Sequence, residues 1–174
     1  DDRSVYVYDR QSFEQRLKVT VPAPVTCLLT PSGSTGAGRV WGGTTLGTVI
    51  IWSAATITIE AVFNVSETTK NKPVRCMAEH QGQILVAVGD QVLSFNSQTI
   101  KPITAWPAHL GAVTAIASMP PNVWTATTVG EVRCWESPHT AAPGEASQLK
   151  WEGLRVLTGA ISQLLPVPAA GQVW

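Results

Sequence analysis

Three observations predict an all-β chain built from repeated four-stranded units. First, Gly47-Thr-Val-Ile-Ile-Trp52, Asp90-Gln-Val-Leu-Ser-Phe95 and Gly130-Glu-Val-Arg-Cys-Trp135 each lead from a turn through a short apolar strand to an aromatic, and Ser4-Val-Tyr-Val-Tyr8 is a partial copy. Second, the closing aromatics Tyr8, Trp52, Phe95 and Trp135 stand 44, 43 and 40 residues apart, and a period near 40 in a chain of strands marks the blades of a β-propeller. Third, the repeats lie under one another as an inner strand, a second strand, a third ending in the aromatic and a fourth outer strand, and four antiparallel strands make one blade.

Taken in order, the chain opens with a half-blade over residues 1–19, in which Ser4 to Tyr8 is a third strand and Gln15 to Val19 a fourth. The blade of residues 25–63 follows, with strands at Val25–Thr30, Arg39–Thr44, Thr48–Trp52 and Thr58–Phe63 and a long turn at Pro31–Gly38. The blade of residues 74–106 is the most regular, with Val74–Ala78, Gln83–Val88, Gln91–Phe95 and Lys101–Trp106, and Gly89-Asp90 as a two-residue hairpin signal. The blade of residues 112–156 takes Ala112–Ala117, Asn122–Thr127 and Glu131–Trp135, then crosses the Pro/Ala/Gly/Ser-rich loop Ser137–Ser147 to an outer strand near Leu149–Val156. A half-blade over 160–174 repeats the inner-strand pattern at Ala160–Pro166 and starts a second strand at Gly171–Trp174. The expectation is a single partial propeller over 1–174, of three full blades plus two half-blades. Pairing of the end half-blades would close a four-bladed ring; otherwise the arc calls for completion by further blades or by self-association with a second copy.

Composition narrows the function. With 44% apolar and 14% charged residues the chain lies on the globular side of the disorder boundary. Twelve basic against twelve acidic residues leave no net charge, and nucleic-acid binding needs a basic footprint. No apolar run approaches the roughly 20 residues of a membrane span, and Asp1-Asp2-Arg3 does not open a signal peptide. Cys27, Cys76 and Cys134 are odd in number and sit within strand patterns, which reads as small core residues in a reducing, cytoplasmic compartment.

The stretch Trp106-Pro-Ala-His109-Leu-Gly111-Ala-Val113, followed by Val123-Trp-Thr-Ala-Thr-Thr-Val-Gly130-Glu-Val-Arg-Cys-Trp135-Glu136, resembles the WD-repeat family of β-propellers. The resemblance extends over nearly the whole chain as repeats, but only this unit matches closely. It implies a buried hydrogen-bonded set of His109, Thr125 or Thr127, and Trp135, joined in the family by an Asp six residues before the Trp. That position is Val129 here, and Leu46 in the unit closed by Trp52. The implied loss is a charge-assisted hydrogen bond of about 1.5–3 kcal/mol in each blade. The Val-Trp-x-[Gly/Ala]-Thr wording is also similar to propeller segments of some inositol-polyphosphate phosphatases and Rho exchange factors.

No active site is legible. His109 reads as the inward-bonding propeller histidine, without a carboxylate in its repeat to orient it for catalysis. His80 reads as a hairpin turn residue and His139 as a loop residue. Zinc binding needs paired short spacings that the cysteines, 49 and 58 residues apart, do not have. There is no Gly-x-Ser-x-Gly elbow, and the glutamates show no repeated apposition. Gly33-Ser-Thr-Gly36-Ala-Gly38 lacks the Lys-Ser/Thr ending and the following helix of a phosphate loop. Among the seven tryptophans, only Trp106 and Trp151 fall outside the repeated blade registers.

The expectation is therefore a non-catalytic protein-interaction scaffold, with no metal or cofactor and with protein partners. The alternatives are the regulatory propeller of an inositol-phosphate or phosphoinositide phosphatase, whose catalytic domain lies elsewhere, and a sugar-binding propeller. The predicted partner-facing residues are Leu46, Lys70, Lys72, His109 and Val129, on the loops entering each blade and the turns between second and third strands. Trp52, Phe95 and Trp135, with His109, Thr125 and Thr127, are the predicted structural blade residues.

Overall fold

The structure, a computed structural model, describes residues 3–32, 38–69, 71–136, 151–155, 158–167 and 172–173. Lys70, Trp174 and the loop Ser137–Ser147 lie outside the described residues. Sixteen strands are present among those described. They are β1 (Ser4–Tyr8), β2 (Gln15–Thr20), β3 (Val25–Leu29), β4 (Arg39–Thr44), β5 (Thr48–Ser53), β6 (Ile59–Asn64), β7 (Val74–His80), β8 (Gln83–Val88), β9 (Gln91–Asn96), β10 (Pro102–Pro107), β11 (Val113–Met119), β12 (Asn122–Thr127), β13 (Glu131–Trp135), β14 (Trp151–Arg155), β15 (Pro166–Val167) and β16 (Gln172–Val173).

They form three four-stranded antiparallel sheets in chain order, β3–β6, β7–β10 and β11–β14 (blades 1, 2 and 3), flanked by the pairs β1–β2 and β15–β16. The first strands of the successive sheets are neighbours, β3 beside β7, β7 beside β11 and β11 beside β15. That places them along a common axis, with the later strands of each blade stepping outward.

Burial follows from this stacking. β5 and β9 lie between two other blades, so residues on both faces are covered: Val49 to Trp52 and Val92 to Phe95 are buried without alternation. The fourth strands keep one wet face and alternate, as in β6 and in β10, where Thr104 and Trp106 point inward. Four apolar layers result. Val21, Ile50 and Trp52, with Val5 and Val19, join β1–β2 to blade 1. Trp41, Ile51, Val74, Val86 and Phe95 join blades 1 and 2. Leu85, Trp106, Val113, Ile116 and Trp135 join blades 2 and 3, and Ala115, Ala126 and Ile161 join blade 3 to the β15–β16 side.

Glycine permits the tightest of these contacts. A Cβ on Gly43 would lie 2.3 Å from Val74 Cγ1, and one on Gly42 2.5 Å from the Trp52 ring. The second strand of blade 1 therefore packs directly against the inner strand of blade 2 and carries its own closing tryptophan over a bare backbone.

Two expectations change, for Ala160–Pro166 and for Trp106. The inner strand predicted for Ala160–Pro166 is a strand only at Pro166–Val167, pairing with Val173 and Gln172. This register repeats the Ser118–Val123 and Met119–Asn122 end of the β11–β12 hairpin. β1 and β16 lie in separate sheets, so the described residues do not close a four-bladed ring. Trp106, which fell outside the repeated registers, is fully buried and meets Trp135 edge-on at 6.1 Å.

Candidate partner-binding face

The inner strand of each full blade carries a bulge at its first hairpin-register step: between Val25 and Cys27, between Val74 and Cys76, and between Val113 and Ala115. The extra residues are Thr26, Arg75 and Thr114. Bulges redirect side chains at the ends of sheets. Thr26 uses its redirected hydroxyl to bond Gly43 O at 3.0 Å and Val74 O of the next blade, and Thr114 does the same to Ala126 O and Ile161 O. These bonds tie the inner strands of blades 1 and 2 together, and that of blade 3 to the segment leading into β15, at one end of the blades. The same end holds the loops entering blades 2 and 3 and the turns between their second and third strands.

The turns are braced by threonine. Thr127 Oγ1 accepts from the backbone N–H groups of Val129 and Glu131 at 3.3 and 3.2 Å, and Thr44 Oγ1 does so from Leu46 and Thr48 at 3.3 and 3.2 Å. Because a strand hydroxyl satisfies these turns, Leu46 and Val129 need not fold inward, and they stand 49% and 56% exposed. In the loop entering blade 3, Leu110 is 99% exposed. Three apolar side chains thus project from one end, beside the exposed Lys72, whose Nζ lies 3.5 Å from Asp90 Oδ1.

His109 does not belong to this surface. It is 4% exposed and sits in a hydrogen-bonded relay. Trp135 Nε1 donates to Thr125 Oγ1 at 2.8 Å, and Thr125 Oγ1 lies 2.8 Å from His109 Nε2. His109 Nδ1 stands 3.0 Å from Glu131 Oε2, an ion-pair distance off the ideal hydrogen-bond axis. Glu131 Oε1 accepts from Arg133 Nε at 2.6 Å, and Arg133 Nη1 donates to Ala108 O at 2.8 Å. The expectation that blade 3 lacks a carboxylate is therefore corrected. Glu131, two residues beyond Val129, reaches the histidine with its longer side chain. Of the two candidate threonines, Thr125 joins the relay and Thr127 shapes the turn.

The electrostatics match a neutral histidine. Burial pushes the His109 pKa below its usual value, and the hydrogen bond and charge of Glu131 offset only part of that. For Glu131, burial acts upward, but His109 and Arg133 outweigh it and hold the carboxyl below its usual range. With His109 neutral, Nδ1–H faces the carboxylate and Nε2 accepts the Thr125 proton, so each group in the relay is used. Carboxylate, histidine and hydroxyl follow the order of a nucleophilic triad. Thr125 is nevertheless fully buried and its oxygen is engaged by Trp135, so a substrate carbonyl has no approach.

Blades 1 and 2 dispense with the relay. By register, Val21 and Gly42 stand where blade 3 has His109 and Thr125, and Trp52 Nε1 is buried without a hydrogen-bond partner among the described residues. In blade 2, Val86 and Phe95 replace the hydroxyl and the indole, so no donor is left to satisfy. His80, expected in a turn, instead ends β7 fully buried, with Nδ1 2.9 Å from Ser118 Oγ of blade 3. Burial raises the Cys27 thiol pKa and pushes Cys76 up to about 12. Among the described residues, no group of three or more His, Cys, Asp or Glu side chains could hold a metal ion, and no helix is long and apolar enough to cross a membrane.

No protein-family model matches the sequence, and no curated protein matches it. Solved structures do match in shape. The computationally designed Ika8 protein superimposes with a TM-score of 0.73 at 15% identity, over 95% of this chain and 48% of its own. Sqt1 of Saccharomyces cerevisiae gives 0.75 at 12% identity, over 94% and 45%. The WD40 repeats of RRP9 give 0.65 at 15% identity, over 84% and 43%. This chain spans about half the length of each of these three, and what it shares with them is the fold of WD40 β-propellers.

Proposed function

We propose that the chain is a non-catalytic protein-interaction propeller that receives its partner on the end bearing Leu46, Lys72, Leu110 and Val129. The observation that carries this reading is the outward projection of apolar side chains from turns that internal threonines already satisfy. Leu46 and Val129 occupy positions where an inward polar residue would serve the blade, yet they contribute little to either core. Exposed apolar residues on a rigid, hydrogen-bonded end suit recognition of another protein. The WD40 fold of the neighbours supports the same reading. The phosphatase link has no support from these neighbours and is not carried further.

Two surface variants test it. Leu46→Asp with Lys72→Glu and Val129→Asp alters the proposed end, whereas Ala55→Asp with Gln98→Asp alters exposed turns at the opposite end. Both sets lie on the surface and should leave the melting temperature within a few degrees of the parent. Quantitative affinity capture should lose its enriched proteins with the first variant and keep them with the second. The reverse pattern would place the partner at the opposite end.

A further inference from the structure

Blade 2 departs from its neighbours at the bulge. Thr26 and Thr114 each cross-link their inner strand to the next blade, but the equivalent residue of β7 is Arg75, exposed and without an ion-pair partner among the described residues. The junction of blades 2 and 3 thus gives up an inter-strand hydrogen bond and gains a guanidinium. Arg75 lines a cavity of about 480 Å³ with Lys72, Gly89, Asp90, Leu110 and Gly111. Its wall is fixed: Ala108 N and His109 N donate to Asp90 O at 2.8 and 3.2 Å, and Val113 N donates to Gly89 O at 2.7 Å. The relay below holds the same loop through Arg133 and Ala108 O. Two cations face a single carboxylate in the lining, and Lys72 already lies beside Asp90, so the uncompensated charge belongs to Arg75.

Building on the proposed binding end, we infer that this cavity receives an acidic segment of a protein partner, with an Asp or Glu carboxylate paired to the Arg75 guanidinium and a neighbouring apolar side chain against Leu110. A guanidinium matches a carboxylate in planar, two-point geometry. Leu110 stands fully out of the surface on a loop pinned on both sides by the backbone hydrogen bonds of Ala108, His109 and Val113, so docking against it requires little new ordering. No Cβ occupies the space above Gly111, where an added one would meet nothing within 4 Å, and a peptide backbone can approach there.

The test uses fluorescent heptapeptide pools with Asp or Glu fixed at the centre and random flanks, matched to pools centred on Asn or Gln, on Lys or Arg, and on phosphoserine. Anisotropy titration of the parent protein should favour the acidic-centre pool over the amide-centre pool by about tenfold, the factor that corresponds to about 1.4 kcal/mol. Arg75→Gln should abolish that preference. Arg75→Glu should invert it toward the Lys/Arg pool, a gain that a misfolded variant cannot produce. Equal binding of acidic and amide pools, or an acidic preference that survives Arg75→Glu, overturns the inference. Tenfold tighter binding of the phosphoserine pool than of the Asp/Glu pool also overturns it, by making the anion a phosphate. If Arg75→Glu leaves affinity capture intact while the Leu46, Lys72 and Val129 substitutions abolish it, this pocket falls and the binding end stands.

Discussion

At the scale of single residues, the relay through Trp135, Thr125, His109, Glu131 and Arg133 governs blade 3. Removing Trp135 empties a volume shared with Trp106, and Trp135→Ala should cost about 3–5 kcal/mol. His109→Ala strands the Thr125 hydroxyl and one carboxylate oxygen, and should cost about 2–3 kcal/mol. Trp135→Ala is the larger loss, and Glu131 narrows the gap. Glu131→Gln keeps the shape and removes the charge, for about 1 kcal/mol. Urea titrations of the three variants check the ranking, and a Glu131→Gln midpoint equal to that of the parent would remove Glu131 from the relay. The relay also sets a pH dependence. Because the folded His109 pKa lies below its unfolded value near 6.5, the unfolded chain binds the extra proton first, and stability falls as pH drops below about 6.5. Glu131, depressed in the folded state, adds a second loss at lower pH, as pH falls below about 4.3 and through its folded pKa. The urea midpoint should therefore decline from pH 7.5 to 5, and His109→Gln should flatten that part of the curve. A midpoint that rises on acidification would mean that the histidine is charged in the native protein.

At the scale of the element, blade 1 substitutes close backbone approach for hydrogen bonding. Gly43→Ala would press a methyl group into Val74 and Cys27, and overpacking of this kind should cost about 1–3 kcal/mol. A change under about 0.5 kcal/mol in a urea titration would show that the inner strand of blade 2 yields easily. The strands themselves were largely legible in the sequence, because the closing aromatics and the turn glycines repeat with the blade: β1, the start of β5 and the whole of β13 coincide with their predicted bounds. The three bulges were not legible, since an extra residue in an inner strand leaves the apolar pattern intact and shows only in the pairing register. Glu131 was missed for a similar reason. Spacing from Trp135 puts the family's Asp at Val129, whereas what the histidine needs is a carboxylate within reach, and a glutamate two residues later supplies it. His80 differs because β7 runs two residues past its predicted end at Ala78, and Trp106, within its predicted strand, differs only in burial; the alternation of Thr104 with Trp106 in β10 carries that signal.

At the scale of the whole molecule, stacking of rigid blades puts all the inter-blade apolar surface inside and leaves two ends of turns. Those ends are chemically unequal. One displays Leu46, Leu110 and Val129 around a cationic cavity, while the other sets the exposed Tyr8 and Phe13 of the β1–β2 turn beside small and polar turn residues such as Ala54, Thr56, Gln81 and Gln98. Rigid presentation means that binding should leave the blade cores unchanged and protect only the contacting turns. Hydrogen exchange followed by mass spectrometry, on the protein alone and with a captured partner, tests that claim most directly. Slowed exchange confined to residues 44–48, 72–75, 89–90, 108–113 and 127–131 is the result predicted; protection that falls instead on residues 53–58, 80–83, 96–101 and 119–122 would contradict it.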